Sequence, residues 1–214
     1  LFGAAIGMIV GSFLNVCIHR LPLRESVMWP ASRCPHCRAE LKPYDNIPVL
    51  SYLMLRGRCR SCAKPISMQY PVVELLTGLL FLAAFLLFEP PLLYQRLLFA
   101  CAMIVLFVID LEHRILPDVI TLPGIVLGLA FSVFLPPGWF DSLIGLVLGG
   151  GSLWLMGEVY FRLRHEEGMG FGDVKMLAMI GAFLGWKLML LTLVLSSFIG
   201  SVVGVVMIVL KRGD

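Results

Sequence analysis

The sequence predicts an all-α polytopic membrane protein with about seven visible transmembrane helices and a small cytoplasmic zinc-binding loop domain. Of the 214 residues, 59% are hydrophobic and only 14% are charged, whereas a soluble domain carries roughly 25% charged residues. The mean hydropathy is +0.91. Apolar runs of spanning length follow one another along the chain, and one long polar segment interrupts them. The charge pattern indicates no nucleic-acid partner.

The apolar runs predict seven spans, at 1–18, 71–88, 92–109, 117–135, 140–161, 174–186 and 188–210. Tight turns separate neighbouring spans at Pro90-Pro91, Pro136-Pro137-Gly138 and Gly185-Trp186. We interpret the first run as a retained helix whose start is cut off, because it does not resemble a cleavable signal peptide. The predicted domains are a first transmembrane helix at 1–18, a loop domain at 19–70 and a transmembrane core at 71–214.

Basic residues predict the orientation of the chain. Of the 17 lysines and arginines, only Arg96 and Lys187 fall on one predicted side of the membrane, which leaves fifteen on the other. Cytoplasmic loops carry the excess of basic residues in membrane proteins. The loop domain, the 110–118 turn and the glycine-rich stretch before Asp173 are therefore expected to face the cytoplasm.

Four cysteines in the loop domain predict a metal site. They form two C-x-x-C pairs about twenty residues apart, Cys34 with Cys37 and Cys59 with Cys62, which is the spacing of a four-cysteine zinc site. The neighbouring arginines would favour the thiolate forms. The alternatives are redox dithiols or two disulfides, and structural disulfides are disfavoured on the cytoplasmic side of a membrane.

Two aspartates stand at predicted ends of apolar runs. Asp110 directly follows one run, and Asp173 directly follows three alternating glycines and precedes another. Carboxylates at membrane depth commonly mark proton paths, ion paths or active sites. Asp173 is equally explained as the N-cap of the next helix. If the two carboxylates face one another they share a proton, which is the chemistry of an aspartic protease.

Other carboxylates have simpler interpretations. Glu74 is interpreted as a helix N-terminal carboxylate favoured by the helix dipole, and Asp141 as a cap at the outer start of its span. Glu158 is expected to pair with Arg162 one turn further on.

Motifs along nearly the whole chain resemble those of type IV prepilin peptidases, which belong to the GxGD class of intramembrane aspartic proteases. The matching stretches are Gly11-Ser12-Phe13-Leu14-Asn15-Val16, Arg20-Leu21-Pro22, both cysteine pairs, Tyr44-Asp45-Asn46-Ile47-Pro48, Arg56-Gly57-Arg58-Cys59, Tyr70-Pro71-Val72-Val73-Glu74, Asp110 with Pro117-Asp118, and Gly168 to Asp173 followed by Val174-Lys175. Members of this family typically have eight spans, one more than is visible in this sequence.

The resemblance implies that Asp110 and Asp173 are catalytic and that the four cysteines bind structural zinc. It implies a bacterial inner-membrane enzyme that cuts the basic leader of prepilins or type II secretion pseudopilins, after a Gly and before a Phe-like residue. Many members also methylate the new N-terminus with S-adenosylmethionine, for which Glu74 is a weak candidate residue. We expect Gly170 and Gly172 to keep the backbone beside Asp173 unwound for the substrate.

Two other functions compete with this interpretation. A proton- or ion-coupled transporter or ion channel, whose buried carboxylates would carry protons or metal ions, explains the spans but not the cysteine pairs. A membrane thiol oxidoreductase explains the cysteine pairs, although both would lie on the reducing side of the membrane.

Overall fold

The computed structural model describes residues 1–29, 31–34, 36–166, 168 and 170–211, and it confirms the all-α class. Its helices are α1 (Phe2–Arg20), α2 (Leu50–Met54), α3 (Gln69–Leu87), α4 (Leu92–His113), α5 (Asp118–Ser132), α6 (Trp139–Arg164) and α7 (Phe171–Lys211). Within the described residues, β-structure is limited to two isolated bridges.

In the part of the chain that the structure describes, five helices are long and apolar enough to cross a membrane: α1, α3, α4, α6 and α7. The helix α5 is shorter than predicted, with 15 residues, and therefore rises only about 22 Å against a hydrocarbon layer of roughly 30 Å. The helix α7 is broken at Gly185, whose φ of 75° and ψ of 170° are not helical. The break lies in the predicted turn and divides α7 between the last two predicted spans.

The chain folds as two compact units, residues 1–120 and 121–214. In the first unit α1 packs against α3, and α4 packs against both. Their shared core consists of Leu14, Ile18, Val73, Ile104, Val105 and Ile109. Because this core joins the end of α1, the start of α3 and the end of α4, residues 19–70 and the C-terminal end of α4 lie at the same end of the unit. The domain boundaries at 18/19 and 70/71 stay a prediction.

The second unit is built on a close crossing of α6 and α7. A Cβ placed on Gly145 would lie 2.6 Å from the carbonyl oxygen of Gly181, and a Cβ on Gly181 would collide with the backbone of Gly145. Glycine at both positions therefore lets the two backbones touch, as small residues do between membrane helices.

The break in α7 is anchored on the start of α6. The indole Nε1 of Trp186 donates to Asp141 Oδ1 at 3.2 Å, and Gly138 rather than Asp141 is the N-cap of α6. The prediction of Asp141 as a cap is therefore wrong. Its carboxylate accepts from the residue that follows the break, which fixes the turn.

Candidate active site and metal centre

Both cysteine pairs lie in turns with the same backbone pattern. The N–H of Cys34 donates to the carbonyl of Ala39, and the N–H of Arg38 donates to the carbonyl of Cys34, both at 2.9 Å. The turn at Cys59 repeats both hydrogen bonds at the same distance. The residue four positions after the first cysteine is left-handed in each turn, with φ of 58° at Arg38 and 55° at Ala63. Each turn therefore points its two thiols to one side.

The four sulfurs converge on one point. The Sγ atoms of Cys34 and Cys62 are 3.9 Å apart, those of Cys37 and Cys59 are 4.0 Å apart, and all four lie within 4.8 Å of one another. A tetrahedral zinc with Zn–S bonds of about 2.3 Å separates its sulfurs by roughly 3.8 Å. The residues fit a four-thiolate metal site, and the thiols are free rather than joined in disulfides.

The short distances between the four thiols affect their pKa values. Burial opposes ionisation of Cys34, but backbone hydrogen bonds at Cys37 and His36 and neighbouring thiols lower its pKa to about 7. At Cys62 a backbone hydrogen bond at Lys64 favours the thiolate, whereas burial and the other thiols raise its pKa to about 11. Four thiolates repel one another at this distance, and a bound dication removes the conflict.

Ion pairs brace the two turns. Arg33 Nη2 lies 2.7 Å from Glu40 Oε1, and Arg60 Nη2 lies 2.6 Å from Asp45 Oδ1. The Asp45 hydrogen bond raises the pKa of Arg60 further, and the Arg60 guanidinium lies over the Tyr44 ring. Arg33 and Arg60 are therefore paired with carboxylates, so their expected effect on the cysteines is reduced.

Glu74 connects the loop domain to the helices. It belongs to the second turn of α3 and is 7% exposed. Its Oε2 accepts a hydrogen bond from the backbone N–H of Val49 at 2.8 Å, and its side chain also interacts with Ser12. The prediction of a helix N-terminal carboxylate favoured by the helix dipole is wrong, because Glu74 lies beyond the first turn of α3, where that effect is concentrated, and its carboxylate accepts from the loop instead.

Asp110 lies in the last turn of α4, at the end of the first unit that carries the loop domain. The preceding Ile109 is fully buried in the shared core, while Asp110 itself is exposed. The helix ends when the N–H of Arg114 donates to the Asp110 carbonyl at 2.8 Å, with Arg114 left-handed at φ 55°. The core thus holds the α4 backbone while the carboxylate points outward.

Asp173 lies in the first turn of α7. This helix begins at Phe171, so Asp173 is its third residue and the prediction of an N-cap is wrong. The N–H of Asp173 donates to the carbonyl of Gly170 at 3.1 Å. Gly170 precedes the helix but Gly172 lies inside it, which contradicts the expectation that the backbone is unwound at both glycines. The early start of α7 places the carboxylate among the helix N–H groups, a favourable position for a negative charge.

Gly168 packs against Tyr160 of α6. A Cβ on Gly168 would collide with the ring of Tyr160, whereas a Cβ on Gly170 would have Asp173 Oδ2 as its nearest neighbour, at 3.7 Å. Glu158 and Arg162 form the predicted ion pair at 2.8 Å. The contact between Tyr160 and Gly168 was not predicted from the sequence. An aromatic residue in an apolar helix gives no indication of which glycine it will pack against.

These features define a multi-pass α-helical membrane protein with four clustered cysteines that could hold a metal ion and a carboxylate in a terminal turn of α4 and of α7. The model of the Bacterial Peptidase A24 N-terminal domain matches residues 5–88, and that of the Type IV leader peptidase family matches residues 97–205. The chain belongs to the type IV leader peptidase family, as the motifs predicted, and the matches give no support to a transporter.

Three relatives are named Prepilin leader peptidase/N-methyltransferase. The Myxococcus xanthus protein is 45% identical over 205 residues, which cover 95% of this chain and 61% of the relative. The Pseudomonas aeruginosa protein is 38% identical over 239 residues, covering 98% and 81%. The Aeromonas hydrophila protein is 40% identical over 233 residues, covering 96% and 80%. The chain thus spans less than two thirds of the first relative. No solved structure matches it.

Proposed function

We propose that this chain is an aspartic endopeptidase that removes the leader of type IV prepilins or type II secretion pseudopilins. One observation carries the proposal: the match to the leader peptidase family spans 97–205, and this region contains Asp110 and Asp173. Each of these carboxylates lies in a terminal turn of a helix that is apolar enough to span a membrane.

In the proposed reaction the two aspartates share one proton, because like charges at close range do not both ionise in a low dielectric. The ionised aspartate takes a proton from water, and the water oxygen attacks the scissile carbonyl carbon. The protonated aspartate donates a hydrogen bond to the carbonyl oxygen. A proton then passes to the amide nitrogen as the C–N bond breaks.

The proposed orientation puts the cleavage site on the cytoplasmic face of the inner membrane. The basic residues of the loop domain and of the 162–175 region support this side. A prepilin would place its apolar helix in the bilayer and its basic leader in the cytoplasm. Its scissile bond would then lie at the membrane boundary, where terminal turns of spanning helices are expected.

For the cysteine centre we propose structural zinc, held by Cys34, Cys37, Cys59 and Cys62. Zinc would supply the cross-link that a small polar loop needs in order to fold. The support is the convergence of the four sulfurs within 4.8 Å and the same hydrogen-bonding pattern in both turns. Closed four-cysteine sites leave no open position for catalysis.

Methylation of the new N-terminus is a second proposed activity, favoured by the N-methyltransferase part of the relatives' names. S-adenosylmethionine would supply the methyl group. A cleft of about 570 Å³ between α1 and the loop domain includes Ser12, Ser32, Asn46 and Arg20 in its lining, groups that suit the hydroxyls and carboxylate of such a donor. Glu74 does not line this cleft, but its side chain interacts with Ser12, which does, and accepts from the Val49 N–H; we therefore propose that Glu74 supports the cleft rather than contacting the donor. Mass spectrometry of the cleaved product's N-terminus tests the activity.

The peptidase test is cleavage of a prepilin by the purified chain in detergent, followed by mass spectrometry of the products. The wild type is expected to release the leader. Glu112→Gln and Glu166→Gln, which remove exposed carboxylates near Asp110 and Asp173, are matched controls expected to keep cleavage. A wild type that releases no leader from any prepilin or pseudopilin would contradict the proposal.

A further inference from the structure

A cavity of about 330 Å³ lies between the C-terminal part of α6 and the start of α7. Trp154, Phe161 and Phe171 contribute three aromatic rings to its wall, and Val174 adds an aliphatic side chain. All three aromatic residues remain about half exposed, at 53%, 47% and 62%. The cavity is therefore open to the outside rather than a sealed gap in the core.

The lining of this cavity selects for an apolar occupant. Among the described residues that line it, the one charged side chain is Glu158, whose carboxylate already accepts a hydrogen bond from Arg162 at 2.8 Å. The Phe171 ring is held in turn by the Lys175 ammonium, 5.0 Å from its centroid. The charged groups at this site thus interact with other residues of the protein, which leaves apolar surface for the occupant.

The cavity is lined by residues on both sides of Asp173 in the sequence. Gly170 is one of its lining residues, and a Cβ at Gly170 would lie 3.7 Å from Asp173 Oδ2. Val174, which also lines the cavity, directly follows Asp173. Two residues that line the cavity, Gly170 and Val174, are therefore neighbours of the proposed catalytic residue.

We infer that this cavity is a specificity pocket, and that it binds the apolar side chain of a substrate residue next to the scissile bond. The inference rests on the proposed peptidase function. The volume suits one large side chain rather than a second helix, and the rings offer stacking or edge contacts to an aromatic side chain. Gly157 controls the depth of this pocket, because it lines the cavity and a Cβ placed there meets nothing within 4 Å.

The test fills the pocket from Gly157. Gly157→Leu adds a side chain in open space, and Gly151→Leu is the matched control, because Gly151 lies on the same helix, has nothing within 4 Å of an added Cβ and is not among the residues that line the cavity. Both variants and the wild type are assayed on four prepilins. In the first two, the residue immediately after the scissile bond is a large apolar residue in one and alanine in the other. In the second two, the same substitution is made at the residue immediately before the scissile bond.

Filling the pocket is expected to lower kcat/KM for the large residue at one of these two positions by at least about tenfold. For the matching alanine substrate, the loss of kcat/KM in Gly157→Leu should be at least about threefold smaller than for the large residue. Gly157→Ala should give a smaller effect in the same direction. Melting temperatures of the variants in detergent separate pocket filling from unfolding.

Two results would overturn the inference. One is a Gly157→Leu variant that treats large and alanine substrates alike at both positions, whether it is active or inactive. An effect of that kind would indicate a cavity filled by lipid or left unused by the substrate. The other is a wild type and a Gly151→Leu variant that both fail to cleave any of the prepilins, which would remove the proposed function itself.

Discussion

The backbone N–H of Val49 donates to the carboxylate of Glu74 at 2.8 Å, and this bond stabilises a strained turn. Val49 has φ of 61° and ψ of −46°, and the N–H of Leu50 donates to the carbonyl of Pro48 at 2.6 Å. This is a γ-turn of the rare, strained hand, with a β-branched residue at positive φ. Such strain persists only where the surroundings enforce it. Glu74 is therefore a structural connection between the loop domain and α3.

Replacing Glu74 with alanine is expected to destabilise the protein by about 1–3 kcal/mol, because the Val49 N–H loses its partner in a half-buried site. Val49→Gly keeps the N–H and relieves the strain, so it should be neutral or stabilising by up to about 1 kcal/mol. Unfolding in detergent measures both changes. A Glu74→Ala protein as stable as the wild type would show that the turn does not depend on this carboxylate.

Metal content is expected to depend on the cysteine cluster. Wild-type protein purified without chelator should carry about one zinc per chain, and Cys59→Ser should lose it together with the fold of the loop domain. Cys101→Ser is the control, because Cys101 lies in α4 and outside the cluster. Lower pH should weaken zinc binding, since protons compete for the thiolates. Metal analysis showing a metal-free wild type with disulfides would instead favour the redox interpretation.

The crossing of α6 and α7 predicts a packing defect for larger side chains. Gly181→Val is expected to destabilise the second unit by at least about 1–3 kcal/mol, because its Cβ meets the backbone of Gly145 and cannot be accommodated by rotating a side chain. Gly200→Val is the matched control in the same helix, where an added Cβ meets nothing within 4 Å. Equal melting temperatures for the two variants would contradict the close crossing.

We expect Gly168 to be required because a side chain there would collide with Tyr160, and not because the backbone needs the conformational freedom of glycine. Gly168→Ala should lower the melting temperature, because the new methyl group displaces the Tyr160 ring, and Tyr160→Ala should reduce that loss when the two are combined. Gly170→Ala should leave stability unchanged, since its nearest neighbour would be 3.7 Å away. Additive effects of Gly168→Ala and Tyr160→Ala would show that the two residues are not coupled.

The sequence predicted those features that depend on local spacing. The pairing of Glu158 with Arg162 follows from an i,i+4 separation on one helix, and the metal cluster follows from two short turns whose thiols need one partner. The interruption of α7 at Gly185 was visible because a glycine and a tryptophan stood between two apolar runs.

Features that depend on how segments meet were not predictable in this way. Glu74 looked like a helix-start carboxylate because nothing in the sequence shows that Val49 folds back onto it. Asp141 looked like a cap because its partner, Trp186, is 45 residues away. The start of α7 at Phe171 was missed because glycines usually oppose helix formation, whereas in this structure the first turn includes Gly172.

The proposed function requires Asp110 and Asp173 to act as one catalytic pair, and comparing single with double substitutions tests this claim most directly. Rates of prepilin cleavage are measured in detergent for Asp110→Asn, Asp173→Asn and the combined variant, with folding confirmed by melting temperature and zinc content. Each single substitution is expected to reduce the rate by about 10³-fold or more, and the combined variant should lose no more than either alone, because the two groups work as a unit. Substantial cleavage by either single variant would contradict the claim.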